Sequence, residues 1–158
     1  MPISPATAYN LLRVFGLLEF ELKRIPRFTG VGRSQSAKVD WLAVDEAVRQ
    51  LPAPDFLDRV SAQSRAKLLG GARNRPKVQL VYSPYGQNLT RFQERDLHVS
   101  DARALIEATR RVRNNLFHGG KEDPLEEAYP GDDEEWGVAA AEIAELVLEL
   151  VRQGRLPP

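Results

Sequence analysis

The sequence predicts an all-α protein, an up-and-down bundle of about five helices with a short β-hairpin near residues 77–92. Apolar residues recur at helical spacing through most of the 158-residue chain. The predicted helices begin and end at capping residues, glycines and prolines. Most connections between them are short, as in antiparallel bundles. The length suits one hydrophobic core, so we assign residues 1–158 to a single domain.

The first predicted helix begins after Ser4, an N-cap residue, with Pro5 at its first position. It ends at Pro26, because proline cannot continue a helix. Residues 27–37 contain two glycines and two serines and are predicted to form a flexible loop. A second helix is predicted over about 39–51, where two prolines follow.

The third helix is predicted as one continuous element over about 55–69, with Gly70 and Gly71 supplying a left-handed C-terminal cap. In the stretch "RPKVQLVYSPYGQNLTRF", Val78, Leu80 and Tyr82 alternate with Gln79 and Val81, and a Ser-Pro-Tyr-Gly turn follows. Such alternation around a turn is typical of a β-hairpin or an extended excursion.

The fourth helix is predicted to begin at Ser100 and to end at Gly119 and Gly120. Its inward face comprises Leu105, Thr109, Val112 and Leu116, widened by Ile106 and Phe117. The fifth begins in the acidic run 132–135, where the helix dipole favours anions, and ends at Gly154. A metal site in that run is the less favoured interpretation, because no ligand spacing typical of a metal site accompanies it.

Composition and charge exclude several classes of protein. The chain has no cysteine, so it has no disulfide and no cysteine nucleophile. Its net charge is zero, but residues 49–95 hold nine basic and three acidic residues, whereas 122–150 hold eleven acidic residues and none basic. The basic segment can attract phosphates. On charge alone we favour the alternative, two solvated faces that partly neutralise each other.

The N-terminus has no basic residues before its apolar stretch, and Glu19 and Glu21 interrupt that stretch. Neither a signal peptide nor a membrane span is therefore predicted, and we expect a cytoplasmic protein.

The segment "RRVRNNLFHGGK", residues 110–121, carries the candidate chemistry. Asn114 and His118 are four residues apart and share a helix face, and the long side chain of Arg113 can reach the same end. The helix dipole favours the protonated form of a histidine in the last turn. A guanidinium beside a proton-transfer group suits phosphodiester chemistry. The alternative is an ordinary helix end, since a terminal histidine and two glycines often close a helix.

The string "VRNNLFHGGK" resembles the motif of the HEPN (higher eukaryotes and prokaryotes nucleotide-binding) superfamily, in particular its prokaryotic members on plasmids and in defence islands. The segments "VFGLLEFELKR", "KVDWLAVDEAV" and "RPKVQLVY" resemble the same families in the same order, so the similarity covers most of the chain. The spacing of arginine and histidine alone is weak evidence. Arg91 and His98 also satisfy it, but they lie in a non-periodic stretch and we do not assign them.

The resemblance implies a bundle that dimerises, with the arginine and histidine of both copies meeting in a cleft that cuts RNA without metal or cofactor. Arg113 would bind the scissile phosphate, His118 would transfer protons, and Asn114 would orient one of them. Lys121, Arg110 and Asn115 are further candidates for RNA contacts. We expect a homodimer with the fourth helix at its interface, because adjacent Leu116 and Phe117 cannot both face one core comfortably.

One position departs from the family. In HEPN toxins that a partner nucleotidyltransferase silences, a tyrosine follows two residues after the histidine, and here that position is Gly120. Silencing by modification of that tyrosine is therefore not expected. The expected partners are RNA, a second copy, and an antitoxin or another defence-system protein. The alternative is a non-catalytic HEPN module that binds RNA or protein.

Overall fold

A computed structural model describes residues 3–70, 76–93, 95–117 and 133–157. Within these residues the fold is mainly helical with two small antiparallel hairpins. The helices are α1 (Pro5–Lys23), α2 (Trp41–Arg49), α3 (Ala62–Leu69), α4 (Asp101–Phe117) and α5 (Asp133–Arg152). Strands β1 (Thr29–Val31) and β2 (Ala37–Val39) form the first hairpin, and β3 (Val78–Tyr82) and β4 (Leu89–Gln93) form the second. The predicted helical character and the hairpin near 77–92 are confirmed.

Helix α5 is the centre of the packing, since it contacts α1, α3 and α4, while α2 packs on α4. Its buried face is rich in alanine, which lets neighbouring helices approach closely. One continuous core results. The largest fully buried side chains are those of Phe28, Phe56, Leu11, Leu22, Leu68, Leu105, Ile143 and Leu150.

The predicted start of α1 and the predicted closure of α5 are confirmed, whereas α1 ends at Lys23, three residues before Pro26. The Ser4 hydroxyl accepts a hydrogen bond from the Thr7 N–H at 3.2 Å, which caps α1. Helix α5 is closed by Gly154, two residues after its last helical residue, whose φ of +66° is the left-handed conformation that favours glycine. There the Arg155 N–H donates to the Leu150 carbonyl at 2.9 Å, the closing bond of a Schellman motif.

The predicted third helix is wrong in its first half. Residues 53–59 form two 3₁₀ turns, and Val60 is extended with φ −74° and ψ 129°. The α-helix starts only after Ser61, whose hydroxyl caps it by accepting from the Ser64 N–H at 3.1 Å. Phe56 and Val60 are buried at a helix-like spacing of four, so their apolar pattern indicated a helix that the backbone does not form.

Two predicted connections also differ. Gly70 has φ −55° and ψ 170°, so it is not a left-handed cap, and Gly71 lies outside the described residues. The predicted loop over 27–37 contains β1 and the first residue of β2. This hairpin was missed because its strands have three residues each, too few to show alternation.

Helix α4 begins as predicted, with the Ser100 carbonyl accepting from the Ala104 N–H at 2.8 Å. Five of the six predicted inward residues of α4 are buried. The argument for a dimer from Leu116 and Phe117 is wrong. Leu116 is buried, and Phe117 is half-buried against the same core, so both find partners within one chain. The predicted end at Gly119 and Gly120 lies outside the described residues.

The acidic start of α5 joins that helix to α1. Glu134 accepts hydrogen bonds from the Ser4 N–H, the Ser4 hydroxyl and the Thr7 hydroxyl. Burial raises the pKa of Glu134, but these three bonds outweigh it and hold the pKa below its ordinary value. Among the described residues, no three potential ligand side chains come together as a metal site would require.

No helix in the described part of the chain is long and apolar enough to cross a membrane.

Candidate active site

Arg113 lies on the last described turn of α4 and is held by two residues of α1. Its Nη2 donates to Glu19 Oε1 at 3.1 Å, and its guanidinium carbon lies 5.2 Å from the centre of the Phe15 ring. Its Nη1 donates to Asn114 Oδ1 at 3.1 Å. The side chain is 22% exposed. These contacts fix the position of the guanidinium, and the carboxylate of Glu19 is its ionic partner.

Arg110 lies one turn earlier on the same side of α4, in a parallel arrangement. Its guanidinium carbon is 5.2 Å from the Trp41 ring centre, and its Nη2 donates to Asp45 Oδ2 at 2.8 Å. The rings of Phe15 and Trp41 are 5.7 Å apart. We call these four side chains, Phe15, Trp41, Arg110 and Arg113, the arginine–aromatic cluster. Arg110 thus anchors α2 to α4, and its side chain is only 26% exposed.

Asp45, which pairs with Arg110, is a buried carboxyl group whose charged form is disfavoured. Its side chain is 5% exposed, and among the described residues its second oxygen, Oδ1, has no hydrogen-bond partner. Burial raises the pKa of Asp45 to about 6, although the positive charges of Arg110 and Arg103 lower it. This carboxyl therefore changes charge close to neutral pH.

Asn115 points to the other side of α4, toward the β3–β4 hairpin. Its Nδ2 donates to the Lys77 carbonyl at 2.8 Å. A pocket of about 290 Å³ opens there, lined by Lys77, Val78, Gln79, Arg111, Asn114 and Asn115. Asn114 lines this pocket and also contacts Arg113. It therefore joins the arginine–aromatic cluster to the hairpin.

Arg111 attaches the hairpin segment to α4. It is buried, and its guanidinium donates to the carbonyls of Arg95 at 2.6 Å and Asp96 at 3.0 Å, and to the Glu107 carboxylate at 2.6 Å. A further, longer bond reaches the Pro76 carbonyl at 3.4 Å. Planar guanidinium donors can satisfy several carbonyls at once, which explains why an arginine occupies this buried position.

Of the six predicted site residues, the structure brings Arg113 and Asn114 into direct contact. Arg110 adjoins Arg113 through the aromatic rings, whereas Asn115 faces the hairpin. His118 and Lys121 lie outside the described residues. Arg91 and His98, the pair that we did not assign, each have a different contact. The guanidinium carbon of Arg91 lies 5.1 Å from the Tyr82 ring centre, and His98 Nδ1 accepts a hydrogen bond from the Ser100 N–H at 2.9 Å.

The sequence interpretation missed the two acids that hold the arginines. Glu19 was seen only as an interruption of an apolar stretch, and Asp45 stands beside Val44 on the buried face of α2. A carboxylate on an apolar helix face indicates a buried cation nearby. Such a carboxylate is present on α1 and on α2, but the sequence does not show which cation each of them pairs with.

Chemically, the cluster offers a planar cation beside an amide at the rim of a polar pocket. A phosphate oxygen can take the place of Asn114 Oδ1 at Arg113 Nη1, while Glu19 competes for Nη2. Comparison with protein-family models, curated proteins and solved structures finds no match to this chain.

Proposed function

We propose that this protein is a metal-independent endoribonuclease of the HEPN type, which cleaves RNA in a cleft between two copies. The described helices would belong to an up-and-down bundle of the HEPN kind. The observation that carries the proposal is the fixed guanidinium of Arg113, in contact with Asn114 and five residues before His118. A toxin or antiphage effector acting in the cytoplasm is the role that we propose for it.

In this mechanism Arg113 binds the scissile phosphate and stabilises the charge that develops on it. The 2′-hydroxyl loses its proton to one histidine and attacks phosphorus. The bond from phosphorus to the 5′-oxygen breaks, and a second, protonated histidine protonates that oxygen. The products are a 2′,3′-cyclic phosphate and a 5′-hydroxyl. His118 of each copy supplies one of the two histidines, since one imidazole cannot serve as acid and base at once.

The pocket beside Asn114 supports the placement of RNA. The segment from Pro76 to Gln93 contains Lys77 and Arg91 and no acidic residue. An RNA strand that enters along the hairpin would pass Asn115 and Asn114 before it reaches Arg113. Lys121 and Arg110 are proposed as further contacts to the phosphate backbone.

One observation favours the second candidate, a non-catalytic module that binds RNA or a partner protein such as an antitoxin. Arg113 is paired with Glu19 at 3.1 Å, and a carboxylate in that position repels phosphate. In a binding module this ion pair would simply join α4 to α1. The two functions differ in whether RNA is cut.

The test is incubation of the purified protein with single-stranded RNA in EDTA, with the products identified by their termini. We expect cleavage to 2′,3′-cyclic phosphates, and a loss of about two to four orders of magnitude in rate for His118→Ala. His98→Ala is the matched control and should keep the wild-type rate. In cells, expression should arrest growth and His118→Ala should relieve the arrest.

RNA that binds but stays intact would favour the binding module. Activity that requires a divalent ion and survives His118→Ala would contradict the proposed mechanism.

A further inference from the structure

A groove of about 890 Å³ lies over α5, between α1 and α3. Helices α1 and α3 both pack on α5 and leave one side of it open between them. The part of α5 that lines the groove covers residues 134–145, which is about 15 Å of helix. The volume falls in the range of about 300–1,000 Å³ that is usual for small-molecule sites. No residue of the arginine–aromatic cluster lines this groove, so it is separate from the candidate active site.

The groove is strongly negative. Its described lining has a net charge of −3, from one basic residue, Lys67, and four acids: Glu134, Glu135, Glu142 and Glu145. The Lys67 nitrogen is itself held 3.0 Å from the Glu135 carboxylate and 5.3 Å from the centre of the Trp136 ring. Such a surface repels phosphates and other anions. The groove therefore suits a cation.

The carboxylates are spread along α5 and do not converge on one point. Glu142 and Glu145 are three residues apart, about 5 Å along the helix axis, and Glu135 lies about 10 Å before Glu142. Among the described residues, no three potential ligand side chains come together around a metal ion. The complementary ligand is therefore an extended cation that carries several separated charges.

Ser64 is independent evidence for a ligand in the groove. It lines the groove and is only 6% exposed. Its N–H donates to the Ser61 hydroxyl, but its own hydroxyl has no hydrogen-bond partner among the described residues. A buried hydroxyl without a partner is costly, so its presence here indicates a partner that enters from the groove.

Between the carboxylates the floor of the groove is apolar. Val138 is 52% exposed there, and the buried residues Ala139 and Ala141 lie beside it. An apolar floor between charged groups matches a ligand whose own charges are separated by apolar spacers.

We propose that this groove binds a linear polyamine, a chain of ammonium groups joined by short methylene spacers. With bonds of about 1.5 Å, neighbouring ammonium groups are roughly 5–6 Å apart. That distance is close to the separation of residues three or four apart on one helix face. The ammonium groups donate to Glu135, Glu142 and Glu145, and the Ser64 hydroxyl accepts one further hydrogen bond. The methylene groups cover Val138.

The probe is spermidine, titrated into the wild-type protein by calorimetry at about 150 mM salt, where weak attractions between exposed charges are screened. We expect a dissociation constant of roughly 10–100 µM, and tighter binding of spermine, which has one more ammonium group. Mg²⁺ should bind at least about tenfold more weakly, because a single ion cannot contact separated carboxylates at once. RNA cleavage plays no part in these measurements, so their outcome is independent of the proposed function.

Two substitutions at Val138 separate charge from shape. Val138→Lys places a tethered ammonium group in the groove and should weaken spermidine binding by at least about tenfold. Val138→Gln has a similar length but no charge, and it should stay within about threefold of the wild type. Both are substitutions at a half-exposed position, where the fold should tolerate them.

Glu145→Gln and Ser64→Ala each remove one proposed contact and should each weaken spermidine binding by roughly three- to fivefold. Glu149→Gln is the matched control, because it removes the same charge one turn further along α5, where Glu149 pairs with Arg59 outside the groove. Equal losses in Glu145→Gln and Glu149→Gln would overturn the proposal, since only net charge would then matter. So would Mg²⁺ binding as tight as that of spermidine. Failure of both spermidine and spermine to bind at about 1 mM, at least tenfold above the expected constant, would overturn it even if a lysine-rich peptide bound.

Discussion

Single residues explain why the candidate site has its present form, and Arg113 is the clearest case. The planar guanidinium contacts an aromatic face, a carboxylate and an amide at once. Lysine keeps the charge but cannot donate in a planar fork. We expect Arg113→Lys to lose RNA cleavage nearly as completely as Arg113→Ala, measured as single-turnover rates. A lysine variant within a factor of about three of the wild type would show that charge alone is enough, since a tenfold rate difference is only about 1.4 kcal/mol.

In the proposed mechanism Glu19, which pairs with Arg113, would compete with phosphate for the guanidinium. Removing its charge should release the guanidinium, so we expect Glu19→Gln to bind single-stranded RNA several-fold more tightly, on the order of 1 kcal/mol. The measurement is fluorescence anisotropy at a fixed, low salt concentration. Glu21→Gln is the matched control, because it removes the same charge from the same helix, where Glu21 pairs with Arg24. Equal gains in both variants would mean that only net charge had changed.

Asp45 makes stability depend on pH. Its pKa is raised to about 6 in the fold, mainly by burial, so the folded state holds this proton more tightly than the unfolded state. The stability that the protonated form contributes is complete below about pH 4 and is lost as pH rises through about 6. Against Asp45→Asn, we expect the wild-type free energy of unfolding to fall by on the order of 2–3 kcal/mol between pH 4 and 7. Urea unfolding at several pH values measures it, and parallel pH profiles would contradict it.

The role of a single residue could be predicted from the sequence where that role depends only on its neighbours along the chain. Ser4 and Gly154 could be assigned as caps, because capping depends on atoms within one turn. The anchoring of Arg113 could not be predicted, because Glu19 is 94 residues away and only the packing of α1 beside α4 brings it near. The same limit explains why Arg111 was overlooked.

At the level of elements, the helices found from the sequence are those with a long apolar stripe. The error in the third helix came from an apolar spacing that 3₁₀ turns also satisfy over seven residues. The β1–β2 hairpin was too short for a pattern, whereas β3 and β4 have five residues each and flank a recognisable turn sequence. Length, more than residue type, determined which elements could be predicted.

Two helix glycines should respond oppositely to alanine. At Gly16 a Cβ meets nothing, so Gly16→Ala should stabilise the chain by about 1 kcal/mol when measured at concentrations too low for dimerisation. At Gly137 a Cβ would lie 2.8 Å from Ile3 Cδ1 and 3.0 Å from Thr7 Cγ2. Overpacking there costs about 1–3 kcal/mol and alanine regains about 1 kcal/mol of helix propensity, so Gly137→Ala should destabilise the chain by up to about 2 kcal/mol. Thermal unfolding of both variants tests this, and a shift in the same direction would show that the contact between α1 and α5 is loose.

For the molecule as a whole, the basic and acidic segments of the sequence partly neutralise each other. Lys67 on α3 pairs with Glu135 on α5 at 3.0 Å, and Arg59 pairs with Glu149 at 2.7 Å. Both pairs join the basic middle of the chain to the acidic helix α5. This agrees with the interpretation favoured from charge alone. Any attraction of RNA must therefore come from local groups such as those beside the hairpin.

The dimer of the proposed mechanism leads to a final prediction about how the two copies divide the roles of acid and base. Two differently tagged chains that are expressed together and purified by both tags in turn yield dimers of defined composition. If His118 acts as base in one copy and as acid in the other, adding His118→Ala to only one of the two chains should reduce cleavage by more than about tenfold, well beyond one half. The same heterodimer with both histidines intact is the control. A rate close to half that of the control would mean that each copy cuts RNA independently and that the dimer only brings two complete sites together.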